Sequence, residues 1–417
     1  MFMKKTALFI ALIALLSACH DKVYNKYMAC VPVYTDYETF RQPVQFESSR
    51  PLTKKGNIYI KDNYLYVIEP DAGIHVIDNT SPSSPNNLGF LKIIGCKGMA
   101  IRGNYLYVNS LIDLIIIDIS TLSAPVEVAR MKDIFPQALP AADGNYPMAP
   151  IDKNLGVVTS WKYEKVKEET TSQPVWNNCP TCETFATTTD MSGSNGGQST
   201  GVSGSITKFA VIGDYLYVME NNQLIPINVS NPTSPTKGEA TWVWREVETL
   251  FAHGTNIFMG TTSGMLIYGT TNPNAPEYIS SVNHLTACDP VVVQDNYCYV
   301  TIRSGTTCMG ELNQLDVIDI SDLYNPVLKQ SFQLTNPHGL GIDGNNLFIC
   351  DGSAGLKIFN ATDPLTCGNN LIKKFGDIQA TDVIPFDNTA IVIGDDGIYQ
   401  YDYSDINNLT LLSSIKF

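Results

Sequence analysis

The chain has 417 residues, 44% of them hydrophobic and 16% charged, a balance that excludes intrinsic disorder. A formal net charge of −14 speaks against nucleic acid or an anionic membrane surface as partner. Charges are scarce and Tyr, at 21, is plentiful, which suits a β-rich exported protein.

In chain order, Lys4 and Lys5 precede an apolar run over residues 7–16, too short to span a bilayer as a stable helix. Leu16-Ser17-Ala18-Cys19 then resembles the bacterial lipobox. That resemblance implies a signal peptide over 1–18, cleavage before Cys19 and a diacylglyceryl group on its sulfur. An ordinary secretory peptide with Cys19 incidental is the alternative. The expectation is a cell-envelope lipoprotein held by its lipid alone, without a membrane span. The outer membrane is the expected address, although His20-Asp21-Lys22 leave membrane and leaflet open. Residues 19–55 show no repeat and read as a tether followed by a segment that packs on the domain behind it.

From residue 56 onward the sequence repeats itself. The clearest unit is Gly103-Asn104-Tyr105-Leu106-Tyr107-Val108, then Leu114-Ile115-Ile116-Ile117-Asp118-Ile119-Ser120, then Pro125. Seven such apolar first strands end at residues 67, 108, 218, 259, 300, 349 and 392, at spacings of 41, 110, 41, 41, 49 and 43. Strand pairs at a period of about 40 with no helical pattern mark the blades of a β-propeller. The fold class is therefore all-β, a propeller over 56–417 with seven blades favoured and eight possible. After the second strand, an Asp or Asn followed by Ser or Thr can bond its own backbone and turn the chain. The Pro that follows enters an outer strand, where a missing N–H is tolerated.

The spacing of 110 exceeds one period, so residues 132–205 form an insertion between blades two and three. It contains Gly156-Val157-Val158-Thr159-Ser160-Trp161-Lys162-Tyr163, a charged stretch, Cys179-Pro180-Thr181-Cys182 and Ser192-Gly193-Ser194-Asn195-Gly196-Gly197. The reading is a projecting hairpin and a glycine-serine loop; a degenerate eighth blade beginning at Asn154 is the alternative. The lone CxxC lacks a second ligand pair for zinc, so Cys179 and Cys182 read as a local disulfide. Cys288 and Cys308 are the first choice for a longer bridge, with connectivity open.

These units resemble the LVIVD-repeat family of bacterial lipoproteins, named for strands like Leu315-Asp316-Val317-Ile318-Asp319. The resemblance runs over roughly 34–417 and includes Tyr37-Glu38-Thr39-Phe40-Arg41 and Asn336-Pro337-His338-Gly339. Repeats three, four and seven depart from the Asp ending. The resemblance implies a propeller lipoprotein and brings no activity with it.

Residues eleven positions before the end of each first strand are Gly56, Lys97, Thr207, Glu248, Asp289, His338 and Thr381. In a propeller this register sits at one mouth of the central channel. Lys97, Glu248, Asp289 and His338 are the candidate ligand or metal residues there, because two carboxylates and an imidazole can hold a divalent cation or orient a polar ligand. The plain alternative is a hydrated polar channel. Trp161, Trp176, Trp242 and Trp244 stack on sugars if exposed, and pack between blades if not. No HExxH or phosphate loop is present, so no catalysis and no cofactor are expected. The function expected is a binding or scaffolding module for a protein or glycan partner in the envelope; the alternative is a metal-dependent binder or enzyme at the mouth.

Overall fold

A computed structural model of the protein describes residues 24–169, 202–203, 207–283, 290–303 and 312–417. The signal segment, Cys19, Cys179, Cys182, Cys288, Cys308, Asp289, Trp176 and the glycine-serine loop lie outside them. The described chain falls into two compact units, one of residues 24–40 and 140–169, the other of residues 41–139 and those from 202 onward.

The larger unit is a seven-bladed β-propeller. Blade one is Ile58–Lys61, Tyr64–Glu69, Gly73–Asp78 and Asn86–Lys92, and blade two is Met99–Arg102, Tyr105–Ser110, Asp113–Asp118 and Val126–Met131. Blade three is Phe209–Ile212, Tyr215–Glu220 and Gln223–Asn228, with its outer strand split into Thr236–Lys237 and Thr241–Trp242. Blade four is Val247–His253, Asn256–Thr261, Gly264–Gly269 and Glu277–Asn283, and blade five is Val291–Gln294, Tyr297–Ile302, Gln314–Asp319 and Val327–Gln333. Blade six is Leu340–Asp343, Asn346–Cys350, Leu356–Asn360 and Leu371–Phe375, and blade seven is Ala380–Phe386, Thr389–Gly394, Gly397–Asp402 and Thr410–Lys416. Within each blade the strands pair antiparallel in sequence order, and the first strands of successive blades are neighbours around the axis.

The repeat chemistry accounts for this regularity. Asp78, Asp118, Asn228, Asp319, Asn360 and Asp402 each accept from the backbone N–H two residues on, at 2.8–3.0 Å. These bonds turn the chain from third to outer strand. They hold Asp78 and Asp402 below the usual carboxylate range, and Asp319, which also feels Lys329, down to about 2. Pro85, Pro125, Pro276 and Pro326 each stand immediately before an outer strand. A bulge recurs between the third and outer strands of six blades, as at Val76/Ile77 and Val317/Ile318. Blade three breaks the rule because Pro226 lies inside its third strand. The Pro226 carbonyl accepts from Gly238 N at 2.8 Å, so the missing N–H of Pro226 is on the same side and leaves the outer strand interrupted.

Apolar side chains from both faces of each sheet fill the gaps between blades. The ring closes between blades seven and one through Ile58, Ile60, Leu65, Ile384, Ile391 and Ile398. Gln400, fully buried, exchanges two amide hydrogen bonds with Asn79, at 2.8 and 2.7 Å. Every blade is built from consecutive chain, so closure rests on this packing and not on a shared sheet. Gln45–Glu47 adds a strand to the outer edge of blade one, and the backbone of Val202–Ser203 pairs with its inner strand. Arg41 is fixed by the fully buried Asp113, with Nε and Nη2 donating at 2.9 and 3.0 Å, which ties the segment ahead of blade one to blade two.

The smaller unit corrects the reading of the insertion. Among the described residues Val157–Glu169 pairs antiparallel with Tyr24–Thr35, and not with a neighbouring strand of the insertion or as the start of an eighth blade. Cys30 is buried in this ribbon, bonded through its backbone to Pro147 and Ala149. Trp161 Nε1 donates to the Pro140 carbonyl at 2.9 Å. Tyr37–Phe40 is a single helical turn, begun by Asp36 accepting from Thr39 N at 2.9 Å. No helix among the described residues is long and apolar enough to cross a membrane.

Candidate functional site at the channel mouth

Among the described residues the candidate register lies where the chain enters each inner strand, so those residues share one face of the ring. Two of them turn inward to structural work. Thr207 accepts from Phe209 N through its hydroxyl, and its carbonyl accepts from Leu250 N in blade four at 2.7 Å. Thr381 Oγ1 donates to the Ile393 carbonyl, and its carbonyl accepts from Gly339 N in blade six at 3.0 Å. These bonds stitch blades three to four and six to seven.

Glu248 and Thr381 are each the extra residue of a bulge in an inner strand, between Val247 and Thr249 and between Ala380 and Asp382. A bulge re-aims the side chain it carries. Glu248 is half-buried and acts electrostatically on Arg303, a residue the sequence reading missed. Arg303 follows the second strand of blade five, and burial pulls its guanidinium below the ordinary pKa, opposed by the Glu248 carboxylate.

Arg303 reaches across to blade six. Its Nη1 lies 2.6 Å from Nδ1 and 3.1 Å from Nε2 of His338. The His338 backbone is pinned on both sides: its N–H donates to the Cys350 carbonyl at 2.7 Å and its carbonyl accepts from Thr301 Oγ1 at 2.6 Å. Burial first, then Arg303 and Lys55, push the imidazole down to about 4 against the attraction of Asp395 and Asp351. His338 is therefore neutral near neutral pH and presents a lone pair to Arg303. Lys55 pairs with Asp395 at 2.5 Å, which brings the segment ahead of blade one to the turn of blade seven.

The four candidates are thus only partly brought together. Glu248 and His338 are joined through Arg303. Lys97 is at the mouth but turns to Asp71 on blade one, with Nζ 3.9 Å from Oδ1. Asp289 lies outside the described residues. Among the described residues no three His, Cys, Asp or Glu side chains gather as a cation site. Arg303 also stands against the ring nitrogens that a metal would need.

A second residue invisible to the repeat pattern organises this loop. Asp351, fully buried in the turn of blade six, accepts from Thr335 N at 3.0 Å and Asn336 N at 2.7 Å, and from Lys357 Nζ at 2.5 Å. It fixes the approach to His338, two residues beyond Asn336. The Cys350-Asp351-Gly352 stretch thus anchors the site. Away from the mouth, His75 is buried in blade one against Glu69 at 3.0 Å, with Arg50 and Thr53 completing the carboxylate's partners. That network binds residues 50–53 to the blade.

Comparison with known proteins supports the repeat assignment. The LVIVD repeat profile matches residues 54–90, 96–133, 203–239 and 286–333, which carry blades one, two, three and five. No curated protein matches the chain. Among solved structures, the periplasmic gluconolactonase PpgL of Pseudomonas aeruginosa is similar at 10% identity, over 87% of this chain and 96% of that one, with a TM-score of 0.54. The computationally designed protein Ika8 is similar at 10% identity over 89% and 90% of the two chains, with a TM-score of 0.51. BamB from Moraxella catarrhalis is 12% identical over 90% and 91%, with a TM-score of 0.48. At such identities the likeness speaks for the fold alone. Blades four, six and seven are built to the same plan outside the matched residues, and the four LVIVD repeats that the chain carries are blades of a propeller.

Proposed function

We propose that the protein is a cell-envelope lipoprotein, anchored through a lipid on Cys19, whose propeller binds a protein or glycan partner on the face that carries the inner-strand entrances. The observation that carries this reading is the linked set Glu248–Arg303–His338, with Lys55 and Asp395 beside it, contributed by blades four to seven and the segment ahead of blade one. A rigid ring holds these groups in fixed relation, and the loops around them are free to differ without disturbing it. A half-buried guanidinium whose pKa is lowered by burial gains from an incoming acceptor, such as a carbonyl, carboxylate or sugar hydroxyl.

The test is capture of partners from envelope fractions by the full chain and by Arg303→Ala and His338→Ala. Selective loss of one partner with both variants supports the reading; identical capture by all three proteins removes the mouth from it. Metal analysis of the same preparations addresses the metal-dependent alternative, which requires a stoichiometric ion that His338→Ala loses. The anchor is tested separately, by incorporation of labelled fatty acid into the parent and its loss in Cys19→Ser.

A further inference from the structure

Blades three and four meet at a cluster of aromatic side chains that the mouth does not use. Trp242 ends the interrupted outer strand of blade three and is 62% exposed; Trp244 follows two residues later and is 51% exposed. Val243 between them is fully buried, with its N–H bonded to Asn222. This exposed–buried–exposed alternation turns both indoles to solvent, as residues two apart along extended chain share a side. Tyr278, on the outer strand of blade four and 44% exposed, meets Trp244 edge to face at 4.6 Å and 70°.

The cluster has a floor. Tyr268 lies 6.4 Å from Trp244 and 5.9 Å from Tyr278, and its hydroxyl is buried with no hydrogen-bond partner among the described residues. An unpaired buried hydroxyl is rare in native proteins and calls for an explanation. Arg245, next in sequence, is held by Ser263 and Asn283, with Nη1 3.2 Å from the Ser263 carbonyl and Nη2 2.5 Å from Asn283 Oδ1.

Packing alone does not require two indoles and a phenol at a surface, because the blade interface beneath is already filled by Val243, Val247, Leu224 and Leu266. Exposed rings with a wet polar edge recognise ligands having an apolar face and hydroxyl groups around it. We propose that Trp242, Trp244 and Tyr278 form a platform for a β-linked oligosaccharide, whose sugar rings stack on the indoles. Hydroxyls at the ring edge bond Arg245. The rings, and not ion pairing, supply the binding, in keeping with a ligand without charge. This surface lies on the outer wall of the ring and does not depend on the reading of the mouth.

The test titrates the full chain with cellohexaose and with chitohexaose, following tryptophan fluorescence and affinity electrophoresis in gels that hold the corresponding polysaccharide. Binding of at least one is expected, with affinity falling about tenfold for Trp244→Ala and again for Trp242→Ala, the scale of one stacking contact each. Trp244→Phe, which keeps a ring, retains most of it, and circular dichroism of each variant checks that the fold is intact. His338→Ala leaves the affinity unchanged, which separates this site from the mouth. The proposal is overturned if neither oligosaccharide alters fluorescence or mobility, or if both Trp→Ala variants bind as the parent does.

Discussion

Removing the Asp351 carboxylate is the most direct way to ask whether the loop that carries His338 is held as described. In Asp351→Ala, Thr335 N and Asn336 N lose their acceptor and the Lys357 ammonium loses its counter-ion, all in a place where the carboxylate itself is fully buried. Breaking one partner of a buried charged pair costs about 3–5 kcal/mol, because the other is left uncompensated. Lys357 keeps 15% of its side chain exposed and can turn to water, so the lower end applies, about 3 kcal/mol. Asp351→Asn keeps an oxygen for Asn336 N and loses the charge, and is expected to cost about half as much. Urea denaturation followed by circular dichroism measures the loss, and hydrogen exchange of the peptide over residues 334–340 places it. The Ala variant lowers the midpoint and speeds exchange there, with Asn between it and the parent. If Ala leaves both the midpoint and the exchange at Thr335 and Asn336 unchanged, Asp351 does not organise the loop and the reasoning is wrong.

Three further perturbations test the rest of the frame. His338 titrates near 4 in the folded protein, well under the unfolded value of about 6.5, so the unfolded chain takes up the proton first. Stability is therefore lost progressively as pH falls from about 6.5 to 4, and the slope is shallower in His338→Gln; an imidazole resonance titrating near 6.5 by NMR contradicts the burial and the Arg303 contact. Asp113→Ala leaves Arg41 without the buried carboxylate it grips with two nitrogens and should cost about 3–5 kcal/mol in urea, whereas an unchanged midpoint shows that the strap at residues 41–47 is idle. Gln400→Leu strands the Asn79 amide at the ring closure and should cost about 1–3 kcal/mol; exchange then rises first in Ile58–Lys61 and Ala380–Phe386, and a uniform rise across all blades refutes closure through this pair.

The propeller was legible because each blade solves the same local problem with the same residues. The period, the Asp or Asn that bonds its own backbone, and the Pro ahead of the outer strand are all short-range signals, and the structure uses each of them. The same period placed Glu248 and His338 on one face, since a register read along the chain becomes a ring once the blades close. Arg303 and Asp351 escaped because they belong to the turns after second strands, where the pattern has no fixed residue. One signal was available: the spacing of 49 between the strand ends at 300 and 349 exceeds the usual 41, and Arg303 stands where that extra chain begins. The bulge that displaces Glu248 also has no sequence mark, because it depends on which cross-strand partner Val247 and Thr249 take up.

The partner of the insertion strand was hidden for a different reason. Register is written into a strand when one of its faces is buried, because a one-residue slip would expose the apolar set. Val157–Glu169 is polar along most of its length, and Tyr24–Thr35 runs apolar with little break from Tyr27 to Tyr34, so neither shows the alternation that reveals a half-buried strand. What specifies their pairing is a series of particular contacts: Tyr27 donating to Glu168 at 2.8 Å, Lys167 over the Tyr24 ring at 3.7 Å, and Thr35 against Thr159 at 3.0 Å. Their partners are more than a hundred residues away, beyond the reach of any local pattern. A ribbon of this kind is marginal in water unless other groups hold it. The buried Cys30 and the Trp161 bond to Pro140 supply that hold, since both draw the connection over residues 140–149 onto the same two strands.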